Sequence, residues 1–96
     1  MDELVERVIK WGKSHQIDNL QSQACKVVEE FGETLEEMNH ERFGKEFEDG
    51  IGDTLVSLII FADIAGKDIK KCLSDTLNVI EGRTGETKNG NFIREK

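Results

Sequence analysis

Apolar residues recur every three or four positions along much of this chain, and its 96 residues include no proline. In one stretch their spacings are four, three, four, four and three residues, which is the period of one face of an α-helix. These positions are Leu20, Ala24, Val27, Phe31, Leu35 and Met38. Because there is no proline, long helices can continue without a break. The sequence therefore predicts an all-α fold, with Met38 in its core.

The same pattern predicts a bundle of four main helices in a single domain over residues 1–96, with a short tail at residues 83–96. The helices are expected at residues 3–13, 20–39, 45–65 and 68–82. Asp18 or Asn19 is expected to cap the second helix, because short polar side chains accept hydrogen bonds from free backbone N–H groups. Gly66 is expected to end the third helix.

The second half of the third helix is apolar on all sides, from Leu55 to Ala65. A helix of this kind must be covered all round. A chain of 96 residues has too few other helices to cover it. We therefore expect a homo-oligomer, a dimer or a tetramer, that completes the bundle and has this helix at its interface.

The acidic residues of the chain are concentrated in one segment. The whole chain has 13 basic and 20 acidic residues, a net charge of −7. Ten acidic and two basic residues lie between Glu29 and Asp53, a net of −8 for that segment. Nucleic-acid backbones and anionic membranes repel such a surface, so neither is expected as a partner. The composition favours a protein that binds cations.

The cysteines and the apolar segments predict a cytoplasmic protein. Cys25 and Cys72 have neither a disulfide pattern nor the spacing of a zinc site, which is typical of a reducing compartment. The longest apolar stretch, residues 54–65, is well short of the roughly 20 residues that a membrane span needs. The first residues do not have the pattern of a signal peptide.

Carboxylates on the second and third helices are the candidate metal ligands. On a helical wheel Glu30 and Glu33 share one flank of the second helix, whereas Glu29 faces water. Asp53 shares a face of the third helix with Asp49, one turn earlier. Carboxylates from two helices suit a hard cation such as Mg²⁺ or Mn²⁺. The alternative is that these residues are solvated charges on an ordinary acidic face.

The order and spacing of these motifs resemble the MazG-like nucleotide pyrophosphohydrolases, an all-α superfamily. Its first signature, E-E-x-x-E, is matched by EEFGE at residues 29–33. Its second, E-x-x-D before an apolar helix, is matched in part by IGD at residues 51–53. Trp11 lies where the family often has a tryptophan, and residues 78–92 resemble the tail of short members, many of them phage-encoded.

One position differs from the family pattern. The second signature places Glu three residues before its Asp, and this sequence has Gly50 there. Asp49 lies next to it and four residues before Asp53, a spacing that also shares a helix face. We expect Asp49 to replace the missing ligand, directly or through a water molecule.

The resemblance implies Mg²⁺-dependent hydrolysis of a nucleoside triphosphate to the monophosphate and pyrophosphate. The implied metal ligands are Glu30, Glu33, Asp49 and Asp53, and Glu33 is the expected catalytic base. The residues expected to contact the nucleotide are Lys26, Asn78, Arg83, Lys88 and Trp11. A close variant of this activity is that of phosphoribosyl-ATP pyrophosphohydrolase, which belongs to the same superfamily.

Other interpretations of these residues stay open at the level of sequence. The alternative for Lys26 is an ion pair with Glu30 one turn away. The alternative for Trp11 is packing in the core. For the whole chain, the alternative is a non-catalytic helical oligomer with a degenerate metal site, whose acidic face binds a basic partner; Gly50 is the residue that favours it.

Overall fold

The structure, a computed structural model, describes residues 2–83 and 85–94, without the side chains of Glu86, Lys88 and Arg94. In this part of the chain the elements are α1 (Asp2–Ser14), α2 (Leu20–Asn39), α3 (Lys45–Ile64), α4 (Ile69–Glu81), β1 (Gly85–Lys88) and β2 (Asn91–Arg94). The prediction of an all-α fold with four main helices is confirmed. The expected helix ends differ from the observed ones by one residue at most.

The helix ends are fixed by local hydrogen bonds and by one glycine. Asn19, rather than Asp18, caps α2, and its Oδ1 accepts a hydrogen bond of 2.9 Å from the backbone N–H of Ser22. Asp68 caps α4 in the same way. Gly66 has a φ of 74°, a left-handed conformation that ends the helical path just after α3. Glycine adopts this conformation at little cost in free energy.

The tail forms a small antiparallel hairpin that pairs Lys88 with Asn91 and Thr87 with Phe92. Asn89 and Gly90 make its two-residue turn, with φ angles of 51° and 78°. Positive φ at both central positions is the geometry that suits the twist of a hairpin and that Asn-Gly favours. Asn89 and Gly90 are therefore the tip of the hairpin.

Helices α2 and α3 form the central pair, and they meet through small and polar side chains. The amide Nε2 of Gln23 donates a hydrogen bond of 2.9 Å to the carbonyl of Ser57. Thr34 lies directly against Gly50, so closely that a Cβ on the glycine would overlap its hydroxyl. The hydroxyls of Thr34 and Ser57 donate to carbonyls of their own helices, so these polar groups are buried without losing hydrogen bonds.

The C-terminal part of the apolar stripe of α2 stays exposed. Phe31, Leu35 and Met38 are between 37% and 51% exposed, so the expectation that Met38 lies in the core is wrong. The reason is steric: Gly50 lets the two backbones approach closely at Thr34, so the contact at this end of α2 is made by a small side chain and not by Phe31, Leu35 or Met38.

Helices α1 and α4 pack on the C-terminal half of α3. Val5 of α1 is buried, and Gly12 lies against Ile60, whose Cγ1 would be 3.2 Å from a Cβ on the glycine. In α4 no side chain is buried. An ion pair of 3.0 Å between Lys70 and Glu6 joins α4 to α1. Among the described helices, none has both the length and the apolarity needed to cross a membrane.

Replacing Gly50 by alanine should destabilise the protein by about 1–3 kcal/mol, because overpacking against Thr34 would push the central helices apart. The matched control is Gly52→Ala, two residues along the same helix, where a Cβ meets nothing within 4 Å. That change should stabilise the protein by roughly 0.5–1 kcal/mol, since alanine favours the helix. Urea unfolding of both variants measures the difference, and equal effects would show that the contact is not tight.

Candidate functional site

An acidic cavity of about 390 Å³ lies between α2 and α3. The acidic residues that line it are Glu33, Glu36, Glu37, Glu46, Asp49 and Asp53. Thr34 and Gly50 also line it, so the cavity lies directly beside the tight contact between the two helices. The helix pair therefore brings Glu33 of α2 and the two predicted ligands of α3, Asp49 and Asp53, to one place.

A second cavity of about 290 Å³ adjoins the first at Asp53, which lines both. Its other polar and aromatic lining residues include Trp11, Lys26 and Glu30, and Val56 and Ile60 line it as well. Four residues that the sequence assigned to a metal or a nucleotide, Trp11, Lys26, Glu30 and Asp53, thus line one cavity, with an aromatic ring and apolar side chains beside the charged groups.

Two of the candidate ligands are held by lysines. Lys26 Nζ lies 2.8 Å from Glu30 Oε1, and Lys45 Nζ lies 2.8 Å from Asp49 Oδ1. The hydrogen bond to Glu30 raises the pKa of Lys26 above its ordinary value. The one-turn ion pair considered for Lys26 therefore exists, and it lies inside the second cavity.

The carboxylates supply the right donor atoms for Mg²⁺, but they are not gathered into a coordination shell. Hard oxygen donors line both cavities. Within residues 2–83 and 85–94, however, no three His, Cys, Asp or Glu side chains come together in a group that could hold a metal ion. A cation would have to draw Glu30 and Asp49 away from their lysines.

Gly50 has a structural role that accounts for the missing glutamate. Any side chain at this position would collide with Thr34. The expected second-signature ligand therefore has no room at residue 50 in this helix packing. Asp49 lies in the lining of the acidic cavity, as expected for a replacement, although its carboxylate is paired with Lys45.

Trp11 is at the surface of the fold. It is half exposed, and its ring stacks on His15 with centroids 4.3 Å apart and planes at 30°. Of the two roles considered for Trp11, its exposure and its place beside Lys26 favour contact with a ligand over a place in the core.

The remaining predicted nucleotide contacts lie elsewhere. Asn78 is in α4 and Arg83 follows that helix, and both are exposed. Neither is among the described residues that line the two cavities. Lys88 is in β1, but its side chain lies outside the described residues. Within one chain, Trp11 and Lys26 therefore line the site, whereas Asn78 and Arg83 do not.

Arg42 is a residue of the cavity that the sequence interpretation did not assign. Its Nε and Nη2 atoms both bond to Oε2 of Glu37, and this contact holds the pKa of the Glu37 carboxyl below its ordinary value. Arg42 is the basic residue in the lining of the acidic cavity. The sequence gives little indication of the ion pair between Glu37 and Arg42, because the two residues are five positions apart across the end of a helix, which is not a usual spacing for an ion pair.

Comparison with protein-family models, with curated proteins and with solved structures finds no match for this chain. The resemblance in motif order therefore stays a hypothesis. The function has to be argued from the residues around the two cavities.

The Glu37–Arg42 pair predicts a specific dependence of stability on pH. Because the pKa of Glu37 is lowered in the folded state, the pair stabilises the protein above pH 4.5 and stops doing so as the pH falls further. Glu37→Gln should therefore lower Tm at neutral pH. The difference in Tm between this variant and the parent protein should disappear at acidic pH. Thermal scans from neutral to strongly acidic pH measure this, with Glu36→Gln as control. A gap independent of pH would contradict the assignment.

Proposed function

We propose that this chain is a Mg²⁺-dependent hydrolase that converts ribo- or deoxynucleoside triphosphates to the monophosphate and pyrophosphate. The observation that carries the proposal is the position of Asp53 between two adjoining cavities. One cavity is lined with carboxylates from two helices, and the other has an aromatic ring and a lysine. A nucleotide triphosphate with its metal has parts of matching chemistry: a flat base, anionic phosphates and a hard cation.

In this proposal Glu30, Glu33 and Asp53 hold the cation, with help from Asp49. Mg²⁺ at this place would neutralise the triphosphate and lower the pKa of a bound water. An acidic surface needs such a cation, because it would otherwise repel the substrate. Glu33, which lines the acidic cavity, would accept a proton from the attacking water.

The lysines that now pair with Glu30 and Asp49 have a second role in the proposal. If a cation bound the carboxylates of Glu30 and Asp49, the ammonium groups of Lys26 and Lys45 would be free to bind phosphate oxygens. Trp11 stacks on the base, because its ring is half exposed beside Lys26.

The proposed enzyme is a homo-oligomer, a dimer or a tetramer, in the cytoplasm. Asn78, Arg83 and Lys88 contact the phosphates from a neighbouring subunit in this proposal, since Asn78 in α4 and Arg83 after it line neither cavity of their own chain. Two exposed free thiols, Cys25 and Cys72, favour a reducing compartment.

A second candidate function is that of a non-catalytic helical oligomer whose acidic face binds a basic partner. The tight packing of Gly50, which leaves no room for a ligand at that position, favours it. So do the lysines that already neutralise Glu30 and Asp49. This alternative predicts an intact fold without turnover of any nucleotide.

Pyrophosphate release from a panel of NTPs and dNTPs, with and without Mg²⁺, decides between the two functions. Asp53→Asn should abolish turnover, and Glu33→Gln should lower kcat by at least about 100-fold, as the loss of a general base does. Glu29→Gln is the control, because Glu29 is exposed and is in the lining of neither cavity. Absence of turnover on every nucleotide with Mg²⁺ present would refute the enzyme and leave the second function.

Binding of Mg²⁺ alone should raise Tm, because the ion binds the folded state and relieves repulsion among the carboxylates. At a concentration about 100 times Kd the stabilisation is about 2.7 kcal/mol, and in a domain of this size that corresponds to a rise in Tm of roughly 10–20 °C. NaCl of equal ionic strength should shift Tm much less. Asp53→Asn should remove the difference between the two salts, and an undiminished shift in that variant would place the ion elsewhere.

A further inference from the structure

Gln23 is an almost fully buried polar side chain in the lining of the second cavity. Only 7% of it is exposed, although residues 20–22 just before it in α2 are open to solvent. A buried polar group needs hydrogen-bond partners, because water no longer supplies them. The amide has a nitrogen that donates and an oxygen that accepts, so both atoms have to be accounted for.

The carbonyl of Ser57 sets the orientation of this amide. Nε2 of Gln23 lies 2.9 Å from that carbonyl oxygen. A backbone carbonyl can only accept a hydrogen bond, so the nitrogen of the amide, and not its oxygen, must face it. Oε1 of Gln23 is therefore turned away from this carbonyl and takes no part in the hydrogen bond between α2 and α3.

Oε1 of Gln23 is an acceptor without a partner. In the described part of the chain, the hydrogen bond that the Gln23 side chain makes is the one from its nitrogen to Ser57. Among the same residues, no side-chain nitrogen or oxygen is both sealed from solvent and unpaired. Oε1 is therefore accessible, and Gln23 lines the second cavity. The wall of this cavity thus contains a fixed acceptor that a ligand with a donor can use.

The surroundings of this acceptor suit a flat heterocyclic ring. The indole of Trp11 and the apolar side chains of Val56 and Ile60 line the same cavity. Its volume of about 290 Å³ is at the lower end of the roughly 300–1,000 Å³ of small-molecule sites. The cavity therefore suits the base of a nucleotide, with the phosphates toward Asp53 and the adjoining acidic cavity. Apolar walls also strengthen a hydrogen bond made between them.

The other polar residues of this lining are already engaged. Lys26 and Glu30 pair with each other, and the hydroxyl of Ser57 donates to a carbonyl of its own helix. Asp53 also lines the acidic cavity, where the proposed function assigns it to the cation. Gln23 is thus the neutral polar side chain whose oxygen is left for the base.

We propose that Oε1 of Gln23 selects the base of the nucleotide by accepting a hydrogen bond from an exocyclic amino group, so that cytosine or adenine is preferred to uracil or hypoxanthine. The inference rests on the proposed function, because it takes the base to bind in the second cavity. Uracil and hypoxanthine have a carbonyl in place of the amino group, so two acceptors would face each other. A site rejects such an analogue because its buried acceptor is left unpaired.

Binding of nucleoside monophosphates, which the proposed reaction does not consume, tests this selection without turnover. Trp11 is the single tryptophan of the chain, so quenching of its fluorescence reports binding in this cavity. With Mg²⁺ present, CMP should bind at least about tenfold more tightly than UMP, or AMP than IMP, the effect of one hydrogen bond to a buried group. Preference within either pair supports the proposal and identifies the ring. Equal affinities within both pairs would overturn it.

Gln23→Met should reduce the preference within that pair to about twofold or less, because a side chain of similar length then lacks the acceptor. The variant also loses the hydrogen bond to Ser57, so its Tm should fall. Val5→Ala is the matched control, because Val5 is buried in α1 and lines neither cavity. Its Tm should fall as well, but its preference should stay that of the parent. A Gln23→Met variant that binds both nucleotides more weakly with the parent's preference would show a structural role only and overturn the proposal.

NMR of the parent protein tests the same contact if Gln23→Met does not fold. The side-chain amide signal of Gln23 should shift on saturation with the preferred nucleotide and move much less with the other member of the pair. A signal that neither nucleotide moves would overturn the proposal.

The binding experiments separate this inference from the proposed activity. Selective binding without pyrophosphate release from any triphosphate would refute the enzyme and leave the base selection intact. Turnover of all triphosphates without preference among the bases would leave the enzyme and refute the selection by Gln23.

Discussion

The close contact between α2 and α3 determines how the rest of the molecule is arranged. It depends on Gly50, against which Thr34 lies, and on the hydrogen bond from Gln23 to the carbonyl of Ser57. These groups are small, or satisfy their own hydrogen bonds, so the backbones can approach closely without burying an unpaired polar atom. A helix pair with a larger residue at position 50 would have to separate or rotate, and its cavities would change with it.

From this contact follow two surfaces of opposite character. The acidic residues of both helices line one cavity, and Asp53 connects it to the hollow that contains Trp11 and Lys26. Apolar side chains such as Phe31 and Leu55 are left exposed, whereas Ile59, Ile60 and Ala62 in the second half of α3 are buried. The cavity offers carboxylates for the proposed cation, and the exposed apolar side chains form a surface of the opposite character.

Sequence patterns predicted the helices and their ends well, because spacing, capping residues and Gly66 act locally. They also placed Glu33, Asp49 and Asp53 together, since helical period decides which side chains share a flank. They did not predict that α2 would pack by the Thr34 flank and leave Met38 exposed. That outcome depends on a tertiary contact with Gly50, which periodicity within one helix cannot reveal.

The most direct test of a cation site at Asp53 is paramagnetic broadening of backbone amide signals by trace Mn²⁺ in NMR spectra. The account predicts that signals around Glu33, Asp49 and Asp53 broaden first, while those around Leu73 in α4 stay sharp, and that excess Mg²⁺ reverses the effect. Weak broadening spread evenly over all exposed carboxylates, without competition by Mg²⁺, would contradict it.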